Sequence, residues 1–141
     1  MKSKLQLLPL DEMNALTRNT LMETLDIKIT VIAEDYIEGT MPVDKRTHQA
    51  FGILHGGASV LFAEALGTLG AMLTIDRNKY TCTGIDVNAN HIKAVRSGVV
   101  TGTAKPLHTG RSTQVWQIEI KNETQELVCV CRYTIGVRNK D

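Results

Sequence analysis

Glu64 is the only formally charged residue in residues 51–75, FGILHGGASVLFAEALGTLGAMLTI. A carboxylate in so apolar a run is costly to bury unless it has a partner or a task. Nucleophilic attack and activation of water are two such tasks. The run opens with His55-Gly56-Gly57. At the start of a helix these glycines would offer free backbone N–H groups, where the helix dipole favours negative charge. Gln49 and His55 add side-chain donors. Thr68, four residues after Glu64, falls on the same helix face and could hold the carboxylate or a water. A carboxylate and a set of donors are the two parts needed to attack a carbonyl and stabilise the oxyanion that results.

Spacing limits how these parts cooperate. Gly56 and Glu64 are eight positions apart, about 12 Å along a helix rising ~1.5 Å per residue. One reacting carbon cannot lie within about 3 Å of both groups of a single helix. If both act on one carbonyl, they come from two chains, and the site lies at a dimer interface.

The elements that must position these groups follow from periodicity. Residues 11–23 carry a partial apolar stripe and predict one short helix. Residues 25–31 alternate apolar and polar and predict a strand, 33–35 a turn, and 36–41 a second strand ended by Pro42. Residues 44–50 form a polar loop. The helix follows over 58–73, apolar nearly all round and therefore covered on most sides. Strands are expected at 80–92, 98–105, 112–121 and 127–137. Pro106 should bound the second of these, with turns at 107–110 and 122–126. A long helix of this character needs a wrapping, and a curled antiparallel sheet of four to six strands supplies one.

Composition narrows the class. The chain has 141 residues, 43% apolar and 22% charged, and a net charge of +1. This predicts one globular domain over 1–141 and argues against a nucleic-acid binder. The N-terminus lacks the pattern of a secretory signal. The central run is long enough to span a bilayer, but Gly56, Gly57, Gly67 and Gly70 with Glu64 make a buried core helix the better reading. Cys82, Cys129 and Cys131 form no metal-binding pattern and read as reduced thiols of a cytoplasmic protein. Asp44 and Asp86 read as surface or structural carboxylates.

Several blocks share an order with a known family. They are Met41-Pro42-Val43-Asp44, Arg46-Thr47, Gln49, Phe51-Gly52, Leu54 to Ser59, Ala63-Glu64, Gly67, Asn88 to His91, Lys105 to His108 and Gln114 to Ile118. In this layout the chain resembles the α+β hotdog-fold acyl-CoA thioesterases, in which a curled antiparallel sheet wraps a long central helix. Within them it is most similar to the 4-hydroxybenzoyl-CoA thioesterase-like branch, and there to hydrolases of 1,4-dihydroxy-2-naphthoyl-CoA and to proofreading thioesterases of enterobactin synthesis. The resemblance implies hydrolysis of an aromatic or bulky acyl-CoA, no cofactor or metal, and a homodimer that pairs into a tetramer. It implies that Gln49, His55 and Gly56 polarise the thioester from one subunit while Glu64 acts from the other, with Thr68 beside it. Three positions depart from the usual pattern. Ala50 stands for Pro, Thr68 for Ser, and Lys93 for Arg, which keeps the charge but loses bidentate contact with phosphate.

A second group of residues concerns coenzyme A. Residues 87–118 contain no Asp or Glu but hold Lys93, Arg96, Lys105 and Arg111 with His91 and His108. Such a basic face suits phosphates, and it is equally the way an exposed sheet edge is protected. Arg111 and Ser112, after Gly110, could add donors to phosphate. Asn88 and Asn90 share one strand face, and the resemblance sets Asn90 and His91 near the pantetheine. Two other functions stay open on the residues alone. One is a 3-hydroxyacyl thioester dehydratase, which pairs a carboxylate with a His within Pro-rich motifs that are missing here. The other is an acyl-CoA-binding module, which would not need Glu64.

Overall fold

The structure is a computed structural model describing residues 4–141; the first three residues of the predicted non-signal N-terminus lie outside it. Two short helices lead in, α1 (Leu10–Ala15) and α2 (Leu21–Thr24). Then come β1 (Lys28–Ile32), β2 (Ile37–Pro42) and the long helix α3 (Gly56–Met72). Four strands follow: β3 (Tyr80–His91), β4 (Val99–Thr109), β5 (Thr113–Lys121) and β6 (Leu127–Asn139). The six strands form one antiparallel sheet in the order β1-β2-β4-β5-β6-β3. The sheet curls around α3 without closing, the expected hotdog fold.

Alternation makes the inner face. Gln114, Trp116, Ile118 and Ile120 of β5 point inward, as do Cys129, Cys131, Tyr133 and Ile135 of β6. Against them α3 lays Ser59, Phe62, Ala63, Leu66, Gly67, Gly70 and Ala71. These positions recur every three to four residues, the period of one helix face. The remaining apolar residues of α3, Ala58, Val60, Leu61, Ala65, Leu69 and Met72, are half-buried. The expectation that α3 is covered on most sides holds in part within one chain: the sheet buries one face fully, and apart from Gly57 the rest of the helix is half-buried.

Element boundaries also differ from the sequence reading, and two of the differences have a clear local cause. The single helix predicted over 11–23 is two helices. Asn19 between them adopts φ 58°, a left-handed conformation that no helix continues through. Thr20 then caps α2, accepting from the Met22 N–H. The second difference is Pro106, which was expected to bound a strand but lies inside β4, opposite Trp116. The register shifts between Pro106 and His108, and a bulge is where a residue lacking an N–H fits a ladder.

Close packing of α3 yields a stability prediction. A Cβ at Gly70 would come within 2.6 Å of the Trp116 ring. That ring cannot swing away: its Nε1–H donates to Gln114, whose amide donates to Thr74, at 2.9 and 2.8 Å. Gly70→Ala gains up to about 1 kcal/mol of helix propensity but incurs about 1–3 kcal/mol of overpacking. Overpacking prevails, and calorimetry should show Tm falling by roughly 3–6 °C.

Candidate active site

The loop before α3 is polar, yet it is well tied. The Thr47 hydroxyl donates to the Pro42 carbonyl and accepts from the Asp44 N–H. Gln49 N–H bonds Ile53, Leu54 N–H bonds Val95, and His55 N–H bonds Thr47, each at 2.8–2.9 Å. Asp44 forms an ion pair with Arg46 at 2.6 Å, and hydrogen bonds from Arg46 hold its carboxyl down at about 2. It is a structural carboxylate, as expected.

This anchoring fixes three donors. His55 is the N-cap of α3, and its Nδ1 accepts from the Gly57 N–H at 2.8 Å. The Gly57 N–H is therefore spent, contrary to the expectation that both glycines offer theirs. The same bond assigns the neutral ring's proton to Nε2, which becomes the free donor. The Gly56 N–H has no acceptor among the described residues. The Gln49 side-chain oxygen accepts from the Phe51 N–H, so its amide NH₂ is the end left to donate. Gln49 and Gly56 line one cleft of about 300 Å³ together with Ser59, His91, Ile92 and Lys93. The His91 ring lies against Gly56, so close that a Cβ there would sit 2.8 Å from its Nε2.

Glu64 and Thr68 lie further along α3 and do not line this cleft. Both are half-buried. The Thr68 hydroxyl is 3.2 Å from the Tyr133 hydroxyl on β6, a partner that sequence spacing did not reveal. Burial pushes the Tyr133 hydroxyl above its ordinary pKa; the Thr68 bond opposes this, and the Glu64 carboxylate adds to it.

The proposed coenzyme A residues fall into two groups. His91 and Lys93 stand at the Gly56 cleft, and the Asn90 amide bonds Asn88 at 3.2 Å. Gly110 and Arg111 line a second cleft of about 290 Å³ with Thr74, Asp76 and Tyr80, past the C-terminal end of α3. His108 packs on Gly110, and the Ser112 carbonyl accepts from Arg138 and from the Val137 N–H. No single chain brings all these residues to one place.

Lys93 also has a neighbour that local charge counting missed. It pairs with Glu126, 33 positions away, at 2.6 Å. The acid-free stretch is not an acid-free surface. The Lys93 bond, then those from Asn122 and Thr124, lower the Glu126 carboxyl to about 2. A depressed carboxyl supports the folded turn above its ordinary value of 4.5 and loses that support as pH falls toward the folded value. An NMR titration should therefore find the Glu126 midpoint near 2; a midpoint near 4.5 would mean that Lys93 stands free.

Comparisons with known proteins agree with this architecture. The Thioesterase superfamily model matches residues 51–129. A crystal structure of a substituted thioesterase from Pseudomonas aeruginosa superposes with TM-score 0.95 at 39% identity, covering 99% of this chain and 100% of that one. A thioesterase from Haemophilus influenzae gives 0.93 at 46% identity, covering 97% and 95%. The 1,4-dihydroxy-2-naphthoyl-CoA hydrolase of Escherichia coli is 44% identical over 128 residues, 91% of this chain and 93% of that protein. With the family model matched over more than half of the chain and relatives this similar along nearly all of it, the chain belongs to the thioesterase superfamily.

Proposed function

We propose that this enzyme hydrolyses coenzyme A thioesters of aromatic or other bulky acids, at two sites shared across a homodimer. One observation carries the reading: on α3 the free Gly56 N–H and Glu64 are separated by about 12 Å, with apolar helix surface left half-covered beside them. The outer edge of β3, twelve residues long, pairs with no strand among the described residues. Ile85 on it and Ile92 just past its end are each more than half exposed. A long open edge of this kind is a template for a second copy. Two α3 helices related by a two-fold axis passing near Val60 would set Gly56 of each beside Glu64 of the other.

In that arrangement the thioester carbonyl receives the Gly56 N–H, with Gln49 Nε2 and His55 Nε2 as further donors. Glu64 of the other subunit attacks the carbonyl carbon or draws a proton from an attacking water. The C–S bond then breaks and the thiolate of coenzyme A takes up the proton that water gives up, on the water route through Glu64; on the direct route that water cleaves the acyl anhydride left on Glu64, giving the free acid and restoring the carboxylate. Asn90, His91 and Lys93 serve the pantetheine arm and phosphates, with His108, Gly110, Arg111 and Ser112 near the nucleotide. Lys93 exchanges Glu126 for phosphate when the substrate arrives. The Escherichia coli relative suggests a dihydroxynaphthoyl-CoA substrate and hence menaquinone synthesis. Three free thiols suit a cytoplasmic location, and pairing of dimers into a tetramer completes the reading.

The test is a panel of benzoyl-, dihydroxynaphthoyl-, phenylacetyl- and straight-chain acyl-CoAs, with thiol release followed continuously. We expect kcat/KM to favour the aromatic members by tenfold or more. No thiol release from any member would remove the hydrolase reading and leave acyl-CoA binding.

A further inference from the structure

We propose that Glu126 is a positioning residue that sets the affinity for coenzyme A: it holds the Lys93 ammonium on the β5–β6 turn, and a phosphate must displace it. The inference rests on the proposed function for its ligand and deepens it by naming what tunes that site. Lys93 stands just past the end of β3, where its N–H bonds the Val128 carbonyl of β6. It lines the cleft that holds Gln49 and Gly56, and Glu126 does not. The Lys93 ammonium is nevertheless 2.6 Å from Glu126 Oε1. Of Lys93, Arg96, Lys105 and Arg111, Lys93 alone has a carboxylate within ion-pair distance among the described residues. Competition for the ligand therefore falls on one cation.

The carboxylate is set in place by its own turn. Residues 122–126 lead β5 into β6, closed by the Asn122 N–H on the Glu126 carbonyl at 3.1 Å and the Gln125 N–H on the Asn122 carbonyl at 3.0 Å. The Asn122 side-chain oxygen accepts from the N–H groups of Thr124 and Glu126 at 3.1 and 2.9 Å. The Asn122 amide and the Thr124 hydroxyl both donate to Glu126 Oε2 at 2.8 Å. Oε1 is the oxygen left for Lys93. Glu123 of the same turn lies over Gly98 instead. Glu126 is thus fixed, whereas the lysine head rides on a flexible four-carbon stem. When a phosphate enters the cleft, the ammonium is the partner that moves.

Two effects of Glu126 oppose each other. Holding Lys93 in one place reduces the side-chain entropy lost when a phosphate binds it. Against this, the ammonium must either release a short charge-assisted hydrogen bond or keep it and leave a carboxylate beside the phosphate, where like charges repel. The first effect is the smaller, because Lys93 is held at the carboxylate and not at the ligand. Competition prevails, so Glu126 weakens the grip on coenzyme A both as part of the substrate and as product. The two side chains are 47% and 48% exposed, so water and salt limit the effect to about twofold to fivefold.

Glu126→Gln keeps the shape and an oxygen for Asn122 and Thr124 but removes the charge. Calorimetric titration with free coenzyme A should show Kd falling by about twofold to fivefold. In turnover the same fall should appear in KM for the acyl-CoA and in the inhibition constant of coenzyme A, with kcat unchanged, the mark of uniform binding. Lys93→Met should weaken coenzyme A, and adding Glu126→Gln to it should restore little, because Glu126 acts through the lysine. Pantetheine, which carries no phosphate, should inhibit wild type and Glu126→Gln alike. The gap between wild type and Glu126→Gln should close as salt rises from about 0.05 to about 0.5 M, which a loosened turn would not produce. An unchanged or raised Kd in Glu126→Gln, an equal gain without Lys93, or an equal gain with pantetheine would overturn the assignment. Thermal melts identify any variant that fails by unfolding. Undiminished binding by Lys93→Met would remove both the coenzyme A site at Lys93 and the role of Glu126. Binding weakened there but untouched by Glu126→Gln would leave the site standing and remove Glu126 alone. A wild-type enzyme that releases no thiol defeats the thioesterase reading, and the calorimetry still judges Glu126.

Discussion

Glu64→Ala should lower kcat for thioester hydrolysis by about 10²–10⁴-fold, the range for loss of a positioned base, and by more if the carboxylate attacks directly. The fold should survive. Glu64 sits half-buried on an otherwise apolar helix, and removing a carboxylate from such a place relieves a desolvation cost. Alanine is also the best helix former. The variant should therefore melt no lower than the wild type and still bind coenzyme A through the residues at either end of α3. The measurements are thiol release under saturating substrate, product binding by calorimetry, and a thermal melt. Turnover equal to wild type would move the reacting group away from Glu64. Lost binding together with lost turnover would show that Glu64 contacts substrate in the ground state.

The second large effect concerns the other half of the site. Gly56→Pro deletes the one helix-opening N–H without an acceptor among the described residues. Gly56 is the first residue of α3, a position where proline is well tolerated. His55 before it has φ −68° and ψ 130°, the extended conformation that a residue before proline adopts. The new Cβ meets only the end of the His91 side chain, which can shift. The helix start should hold while one oxyanion donor is lost, lowering kcat by about 10²–10³-fold. Mixing this chain with Glu64→Ala tests the shared site. Each homodimer carries two defective sites. A mixed dimer carries one site with both defects and one with neither. After unfolding and refolding an equal mixture, activity should return to about a quarter of wild type, the share expected when half the dimers are mixed. Confirmed mixed dimers that stay inactive would put both groups in one chain.

Much of this protein was open to inference from its residues. The span of α3 was legible because glycines and polar loops punctuate an apolar run, and its first residues lie two positions earlier than expected only because His55 caps it. Strand β5 alternates cleanly, since one of its faces packs on the helix. The candidate site was legible in part for a similar reason. A charge in an apolar helix stands out, and the rise of a helix fixes how far apart Gly56 and Glu64 must be. Gln49, His55 and Gly56 were recognisable because they are close in sequence.

What sequence could not supply depends on groups distant along the chain. The His55–Gly57 bond, which takes away one of two expected donors, depends on a side-chain rotamer. Glu126 reaches Lys93 because β6 returns beside the end of β3, a long-range pairing that a local count of charges cannot anticipate. Pro106 stays within β4 because a bulge accommodates its missing N–H, and bulges are set by the pairing of two strands. Tyr133 meets Thr68 across 65 positions, in a space that Gly67 and Gly84 leave open. Residue types and helix rise thus singled out the groups able to carry the chemistry and set Gly56 and Glu64 too far apart to act together within one chain. Only the folded sheet decided which donors are free, which cation is already paired, and which phenol meets Thr68, because contacts between distant strands depend on register and packing.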